Sequence, residues 1–336
     1  MRVHFWSADM AGSAFYRAVL PAVGLSWLNH ETSHGMRLPL DWESYDTIVG
    51  CRVAQTDPSK MWIRLKDEGK RLLLDLDDDY FHIDPSNVHA ASVWDTDMLG
   101  RLAHNMALAD LVTCCSEPLA TVLRDYAAEV RVIPNGLPAQ YLGHPRDYLA
   151  VDRPLYVGWA GTSSTVAELP EAVRALNRIS QYPRSGGVMV RLVGIDAQQA
   201  MSLGLKGRQV GALGWVERIE HYLHAVGEFD VWCAPYRSTP FNGAKFPTKW
   251  LEASVLGIPL IASDTPAYRA VIRHGENGFL VRHEHEWGKY LKQLADDAAL
   301  RQRIGMTARG EASGSIMQAL HHQWEAAVRV PEGVAA

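Results

Sequence analysis

Residues 241–264 read Phe241-Asn242-Gly243-Ala244-Lys245-Phe246-Pro247-Thr248-Lys249-Trp250-Leu251-Glu252-Ala253-Ser254-Val255-Leu256-Gly257-Ile258-Pro259-Leu260-Ile261-Ala262-Ser263-Asp264. The grammar is loop, helix, stop, strand. Asn242-Gly243 marks a turn, and Pro247 at the head of an apolar-periodic run suits the first turn of a helix. Gly257 can take the left-handed conformation that ends the helix, and Pro259 prevents its return. Leu260 to Ala262 is then a short buried strand. Lys245, Lys249 and Glu252 fall at the helix start or on its first turns. Backbone N–H groups at a helix N-terminus, helped by two lysines, make an anion site. Glu252 lies further in, where a carboxylate can accept hydrogen bonds from two vicinal hydroxyls. Phosphate beside ribose is the ligand this arrangement suggests.

Outward from this stretch, strands and helices alternate along the whole chain. Val3 to Trp6 reads as a strand, Gly12 falls in the loop after it, and Ala14 to Val23 has helical spacing. Strand, Gly-bearing loop and helix form the opening unit of a doubly wound sheet, with the loop at the ligand-binding edge. Tyr45–Gly50 is a further strand, Lys60–Gly69 a helix, and Leu72 to Leu76 a strand running into Asp77-Asp78-Asp79. Trp94–Ala109 reads as one long helix, followed by a strand to Ser116, a helix from Glu117 and a strand at Val130–Ile133. Asn135-Gly136 is a turn, and residues 140–153 read as linker. The second half repeats the alternation. Leu155 to Gly161 opens into Thr162-Ser163-Ser164, whose glycine and hydroxyls can cradle a diphosphate through backbone N–H groups. Strands at Val188–Gly194 and Phe229–Pro235 and helices to Val328 complete the pattern.

The 241–264 stretch, continued through Thr265-Pro266-Ala267-Tyr268 to Gly275-Glu276-Asn277-Gly278, resembles the donor-binding signature of retaining GT-B glycosyltransferases. These are the glycosyl transferases of group 1, a nucleotide-sugar-dependent family that includes mannosyltransferases and sucrose synthases. Asp110-Leu111-Val112, a helix, and Val132-Ile133-Pro134-Asn135-Gly136 resemble the end of that family's N-terminal domain. The resemblance implies that Glu252 binds the donor ribose. A second family glutamate falls where this chain has Ala244, which leaves Asn242, Lys245 and Lys249 to contact the donor. It implies an acceptor and phosphate loop at Gly12, Tyr16 and Arg17, and places Asp77 where the family has a cleft histidine. Donor binding then involves Gly161, Thr162, Ser163, Asn242, Lys249 and Glu252. Catalysis falls to Asp77, Asp78 and Lys245, with His82 and His89 as rivals.

Bland readings stand beside several of these. Tyr16 and Arg17 can simply pack, the arginine snorkelling. The acid run can line a cleft, can be a solvated strand end that caps the next element, or can hold Mg²⁺ or Mn²⁺. Most of the eleven tryptophans suit core packing, with Trp159 and Trp215 at loop positions.

Composition sets the frame. The 336 residues suit two domains of roughly 150 each. Net charge −5 and pI near 6.3 provide no basic field for non-specific nucleic-acid binding. Four cysteines without metal or disulfide spacing read as buried thiols. No apolar run approaches the roughly 20 residues of a membrane span, and the start lacks a signal peptide's apolar core, so a cytoplasmic protein is expected.

The expectation is therefore α/β, two Rossmann-like domains facing across a cleft (GT-B). The N-terminal domain spans 1–150, the donor domain 151–312, and a helix over 315–328 packs back on the first. The expected function is retaining, metal-independent transfer from a nucleotide diphosphate sugar, a co-substrate, with no cofactor. The acceptor is a glycan, lipid, protein or modified nucleic acid. Alternatives are a nucleotide-sugar epimerase of the same fold and a non-catalytic sugar-nucleotide-binding module.

Overall fold

In a computed structural model, the structure describes residues 1–10, 12–85, 88–142, 147–149, 153–162 and 165–330, without the side chains of 88–90. The chain divides into two compact units. Unit 1 comprises residues 1–139, 244–246 and 315–336, and unit 2 comprises 140–243 and 247–314.

Unit 1 holds strands β1 (Arg2–Ser7), β2 (Glu31–Gly35), β3 (Thr47–Cys51), β4 (Arg71–Leu76), β5 (Leu111–Cys114) and β6 (Val130–Val132), in the order β2-β1-β3-β4-β5-β6. Every pairing is parallel. Leu72, Leu73, Leu74 and Leu76 are fully buried because a parallel strand covered on both faces needs apolar residues on both. β2, Glu-Thr-Ser-His-Gly, carries no apolar pattern because it is an edge strand with half-exposed faces. Sequence periodicity therefore missed it. The helix Met317–Val328 belongs to this unit, and its Trp324, Ala327 and Val328 share a core with Val3, Phe5 and Leu73.

The helix expected over 94–109 is present as Thr96–Leu108, started by Asp95, which accepts from Met98 N at 2.8 Å, and a separate short helix, Val88–Val93, precedes it. One expectation in unit 1 needs correction: the first helical run is not a plain α-helix. Phe15–Val19 is a π-helical turn between Gly12–Ala14 and Leu20–Ser26. Pro21 has no N–H to give the carbonyl four residues back, that of Arg17, which instead accepts from Cys51 Sγ at 3.5 Å.

Unit 2 holds β7 (Leu155–Ala160), β8 (Val188–Val193), β9 (Val210–Leu213), β10 (Val231–Ala234), β11 (Leu260–Ser263) and β12 (Phe279–Val281), ordered β12-β11-β10-β7-β8-β9 and all parallel. Relative to its own first strand this is the order 3-2-1-4-5-6 of a dinucleotide-binding sheet, whereas unit 1 has 2-1-3-4-5-6. The helix Thr248–Val255 ends at Gly257, whose φ of +68° is left-handed. Asn242-Gly243 is not an open turn but part of a helical turn, Pro240–Ala244. Trp159 is not at a loop position; it is 1% exposed inside β7, while Trp215 is exposed. The four cysteines are free and buried, and burial pushes the Cys114 thiol up to about 12. Among the described residues, no helix is long and apolar enough to cross a membrane.

Candidate active site

In an open parallel sheet, ligands bind outside the carboxyl ends of the strands where the strand order reverses. In unit 2 that point lies between β7 and β10. β7 delivers Gly161 and Thr162. Gly161 N donates to Val193 O at 3.0 Å, and Thr162 N donates to Thr165 Oγ1 at 2.8 Å. The loop lies against Gly194, whose φ is +98° and whose added Cβ would fall 1.8 Å from Gly161 O. Only glycine permits that approach. Ser163, the third expected member of this loop, lies outside the described residues.

β10 delivers Tyr236 and Arg237. Glu168, buried just after the Gly161 loop, accepts from Arg237 N at 2.7 Å, Arg237 Nε at 3.2 Å and Asn242 Nδ2 at 3.1 Å. Asn242 also donates to Arg237 O at 3.0 Å. Glu168 thus ties the loop after β7 to the segment after β10. Arg237 brings a basic side chain to this edge, paired there with Glu168. Sequence reading overlooked it, although its place three residues past a strand end was the available signal.

Lys249 stands in the first turn of the Thr248–Val255 helix. It donates to Tyr236 Oη at 2.6 Å and sits 4.8 Å over that ring. Glu252 is 4% exposed and accepts from Tyr222 Oη at 3.0 Å. Burial, and then the Glu252 charge, push the Tyr222 phenol well up. Glu252 is therefore an interior carboxylate. Beside this cradle, a cavity of about 620 Å³ continues along the ends of β11 and β12, lined by Ser263, Asp264, Thr265 and Arg282.

Lys245 does not share the helix with Lys249. It belongs to the three-residue segment of unit 1, where Ala244 is buried in an apolar cluster with Leu119 and Leu123. Ala244 O accepts from Ser116 Oγ at 2.5 Å. A glutamate at 244 would place a charge in that cluster, a physical reason for the alanine. Lys245 Nζ donates to Asp78 Oδ1 at 2.5 Å.

Asp77 and Asp78 follow β4 at the same strand-end edge. Tyr80 Oη donates to Asp77 Oδ1 at 2.7 Å, and Arg52 Nε lies 3.9 Å from that oxygen. Burial raises the Asp77 carboxyl, but Arg52, then Ser13 and Tyr80 hydrogen bonds, then Lys245, bring it below the ordinary aspartate value. Asp78 goes the other way. Burial and the neighbouring Asp77 charge push it up, against Lys245. Adjacent carboxyls pushed apart in this way are an arrangement suited to acid–base roles. His82 Nδ1 contacts Asp79 Oδ2 at 2.9 Å, whereas the side chain of His89 lies outside the described residues. The acids are thus not a fully solvated strand end, and Asp75 is turned wholly inward. Among the described residues, no group of three or more His, Cys, Asp or Glu is placed to hold a metal ion.

Gly12 begins the first helical turn and is exposed. Tyr16 is buried. Arg17, 1% exposed, donates from Nε and Nη2 to the two Asp75 oxygens at 2.9 and 2.7 Å. Its Nη1 donates to Ile133 O at 2.6 Å and Asn135 Oδ1 at 3.1 Å. The guanidinium is placed inside unit 1 and not at a phosphate loop. Packing describes both Tyr16 and Arg17 as they stand.

Residues 154–297 match the family described as Glycosyl transferases group 1. No curated protein sequence matches the chain. The structure is similar to Anabaena Alr3699/HepE in complex with UDP-glucose, with a TM-score of 0.71 and 18% identity over 97% of this chain and 99% of that one. It is also similar to sucrose-phosphate synthase from Thermosynechococcus elongatus, with a TM-score of 0.72 and 16% identity over 97% and 98% of the two chains. A glycosyltransferase from Rickettsia africae ESF-5 follows, with a TM-score of 0.65 and 12% identity over 97% of each. The fold is GT-B, two Rossmann-like domains.

Proposed function

We propose that the protein is a retaining glycosyltransferase that moves a sugar from a nucleotide diphosphate sugar to an acceptor. The observation that carries this reading is the unit 2 switch point. A glycine loop after β7, a lysine on a helix first turn and a buried, oriented carboxylate converge there. The group 1 family match over residues 154–297 supports it. Complexes of HepE with UDP and with UDP-glucose support a uridine diphosphate sugar as the donor to try first.

In this reading the N-terminus of the Thr248–Val255 helix holds the diphosphate beside the loop of Gly161 and Thr162, whose own N–H groups are engaged by Val193 O and Thr165 Oγ1. Glu252, its orientation fixed by Tyr222, holds the ribose hydroxyls. Lys249 and Lys245 stabilise charge that develops on the departing diphosphate. Asp77 and Asp78 flank the oxocarbenium-like centre, and no residue serves as a covalent nucleophile. The mechanism uses no cofactor and no metal, so turnover survives excess EDTA. Loss of turnover that Mn²⁺ or Mg²⁺ restores would assign the strand-end acids to a metal instead.

Glu252→Gln tests the ribose assignment. Glutamine keeps an oxygen for Tyr222, so the fold is retained, but the charge that strengthens two hydroxyl hydrogen bonds is gone. Donor binding weakens by about 1.5–3 kcal/mol, the scale of a hydrogen bond to a charged group. Because ribose is held equally in ground and transition states, KM rises and kcat changes little. Titration of UDP into both proteins, followed by steady-state kinetics, measures this. An unchanged dissociation constant removes Glu252 from the donor site.

A further inference from the structure

Among the described residues only two other than glycine have positive φ, Asn29 at +62° and Arg52 at +60°. Asparagine visits the left-handed region readily, but arginine does so only at a steric cost. Such a conformation persists where the surroundings over-determine it, and it clusters at functional sites. Here the surroundings are the ends of three strands. Arg52 directly follows β3, its N–H donates to Asp75 O at 3.0 Å, and Ala8 N donates to Cys51 O at 3.2 Å. The order β2-β1-β3 makes the gap between β1 and β3 the switch point of unit 1. Arg52 therefore occupies in unit 1 the position at which a doubly wound sheet receives its ligand.

The side chain, 17% exposed, reaches from the end of β1 across β3 to the end of β4. Nη2 meets Asp9 Oδ2 at 2.5 Å after β1, and Nε stands 3.9 Å from Asp77 Oδ1 after β4. Glycine or asparagine would hold this backbone with less strain, and what arginine adds is a cation. We propose that Arg52 is a positioning residue, its left-handed backbone aiming a guanidinium from the unit 1 switch point toward Asp77 at the end of the neighbouring β4, so that Asp77 is kept as a charged carboxylate that engages the acceptor hydroxyl. This rests on the transferase reading for the identity of the hydroxyl, but not for the effect of Arg52 on Asp77. The groups that face Asp77 are Arg52, the Ser13 and Tyr80 hydroxyls, Asp78 and Lys245, with Cys115 Sγ on its carbonyl at 3.3 Å. Of those that hold the carboxyl down against its burial, Arg52 is the strongest.

The test uses Arg52→Asn, which keeps the left-handed preference and removes the cation, and Arg52→Lys, which restores a cation on a different stem. Two readouts are taken on the full chain, the Asp77 carboxyl titration by carbon NMR and the kcat and KM of transfer. In Arg52→Asn the Asp77 titration moves up by roughly one unit or more, the scale of losing a close opposite charge. In the same variant kcat falls on the order of 10²-fold, as misplacing a reacting group does, with donor KM little changed. Arg52→Lys recovers most of the titration shift and part of kcat. A lower melting temperature with unmoved Asp77 titration and unmoved kcat makes Arg52 a structural ion pair and overturns the proposal. If the unaltered chain transfers no sugar, the titration alone decides: a shift upholds the hold on Asp77 while the transferase reading fails, and no shift overturns both.

Discussion

Replacing Arg17 by methionine destabilises unit 1 by about 3–5 kcal/mol, the cost of breaking a buried ion pair from one side. The change leaves the Asp75 carboxylate, 1% exposed, with only Thr113 Oγ1, at 2.6 Å, of the hydrogen bonds described for it. It also removes the hydrogen bonds that Arg17 gives to Ile133 O and Asn135 Oδ1. Burial alone would pull the guanidinium pKa down, but Asp75 outweighs it and Arg17 stays charged. The pair Arg17→Met with Asp75→Leu removes both charges and recovers much of the loss, because a buried pair replaced whole is close to neutral. Denaturant unfolding of the single and double variants measures it. If the single variant is as stable as the parent, Arg17 is not an interior anchor, and its assignment to a phosphate loop regains its footing.

Lys245→Ala is expected to lower kcat by a factor on the order of 10²–10³, as loss of a group that stabilises transition-state charge does. The competing role is mechanical. Lys245 sits between Ala244, packed in an apolar cluster, and Phe246, which packs against the same cluster, so the ion pair with Asp78 could serve only to seat this segment. The two roles separate on measurement. A seating role lowers the unfolding midpoint and leaves kcat alone, whereas a catalytic role lowers kcat at unchanged donor KM. Asp78→Asn gives the complement, since it relieves the pairing while Lys245 keeps its charge.

The sheets were legible because parallel strands announce themselves. Leu72-Leu73-Leu74 and Leu260-Ile261-Ala262 are apolar on both faces, and only burial on both faces requires that. Gly257 and Pro259 marked a helix end for local steric reasons that tertiary context did not alter. Lys249 and Glu252 were legible as positions on one helix, Thr248–Val255.

What stayed hidden depended on partners distant in sequence. Arg17 beside a glycine loop looks like an anion ligand until Asp75, 58 positions away, is seen to hold it. Ala244 and Lys245 look like part of one helix start, but the pull of the Ser116 hydroxyl and an apolar cluster assigns them elsewhere. Arg52 carries no local signal, since nothing in Gly50-Cys51-Arg52-Val53 favours positive φ. β2 is polar because it is an edge, and polarity in a short run is indistinguishable from loop.

The central claim is sugar transfer, and one measurement addresses it directly. The purified chain is incubated with a panel of nucleotide diphosphate sugars, UDP-glucose among them, with and without a pool of saccharide, lipid and peptide acceptors. Nucleotide products are then resolved by mass and chromatography. The account predicts free nucleoside diphosphate that appears only when an acceptor is present, together with one acceptor species heavier by one sugar. An isomerised sugar nucleotide without acceptor would instead make the protein an epimerase, and saturable donor binding with no turnover across the panel would make it a binding module. Either result contradicts the account.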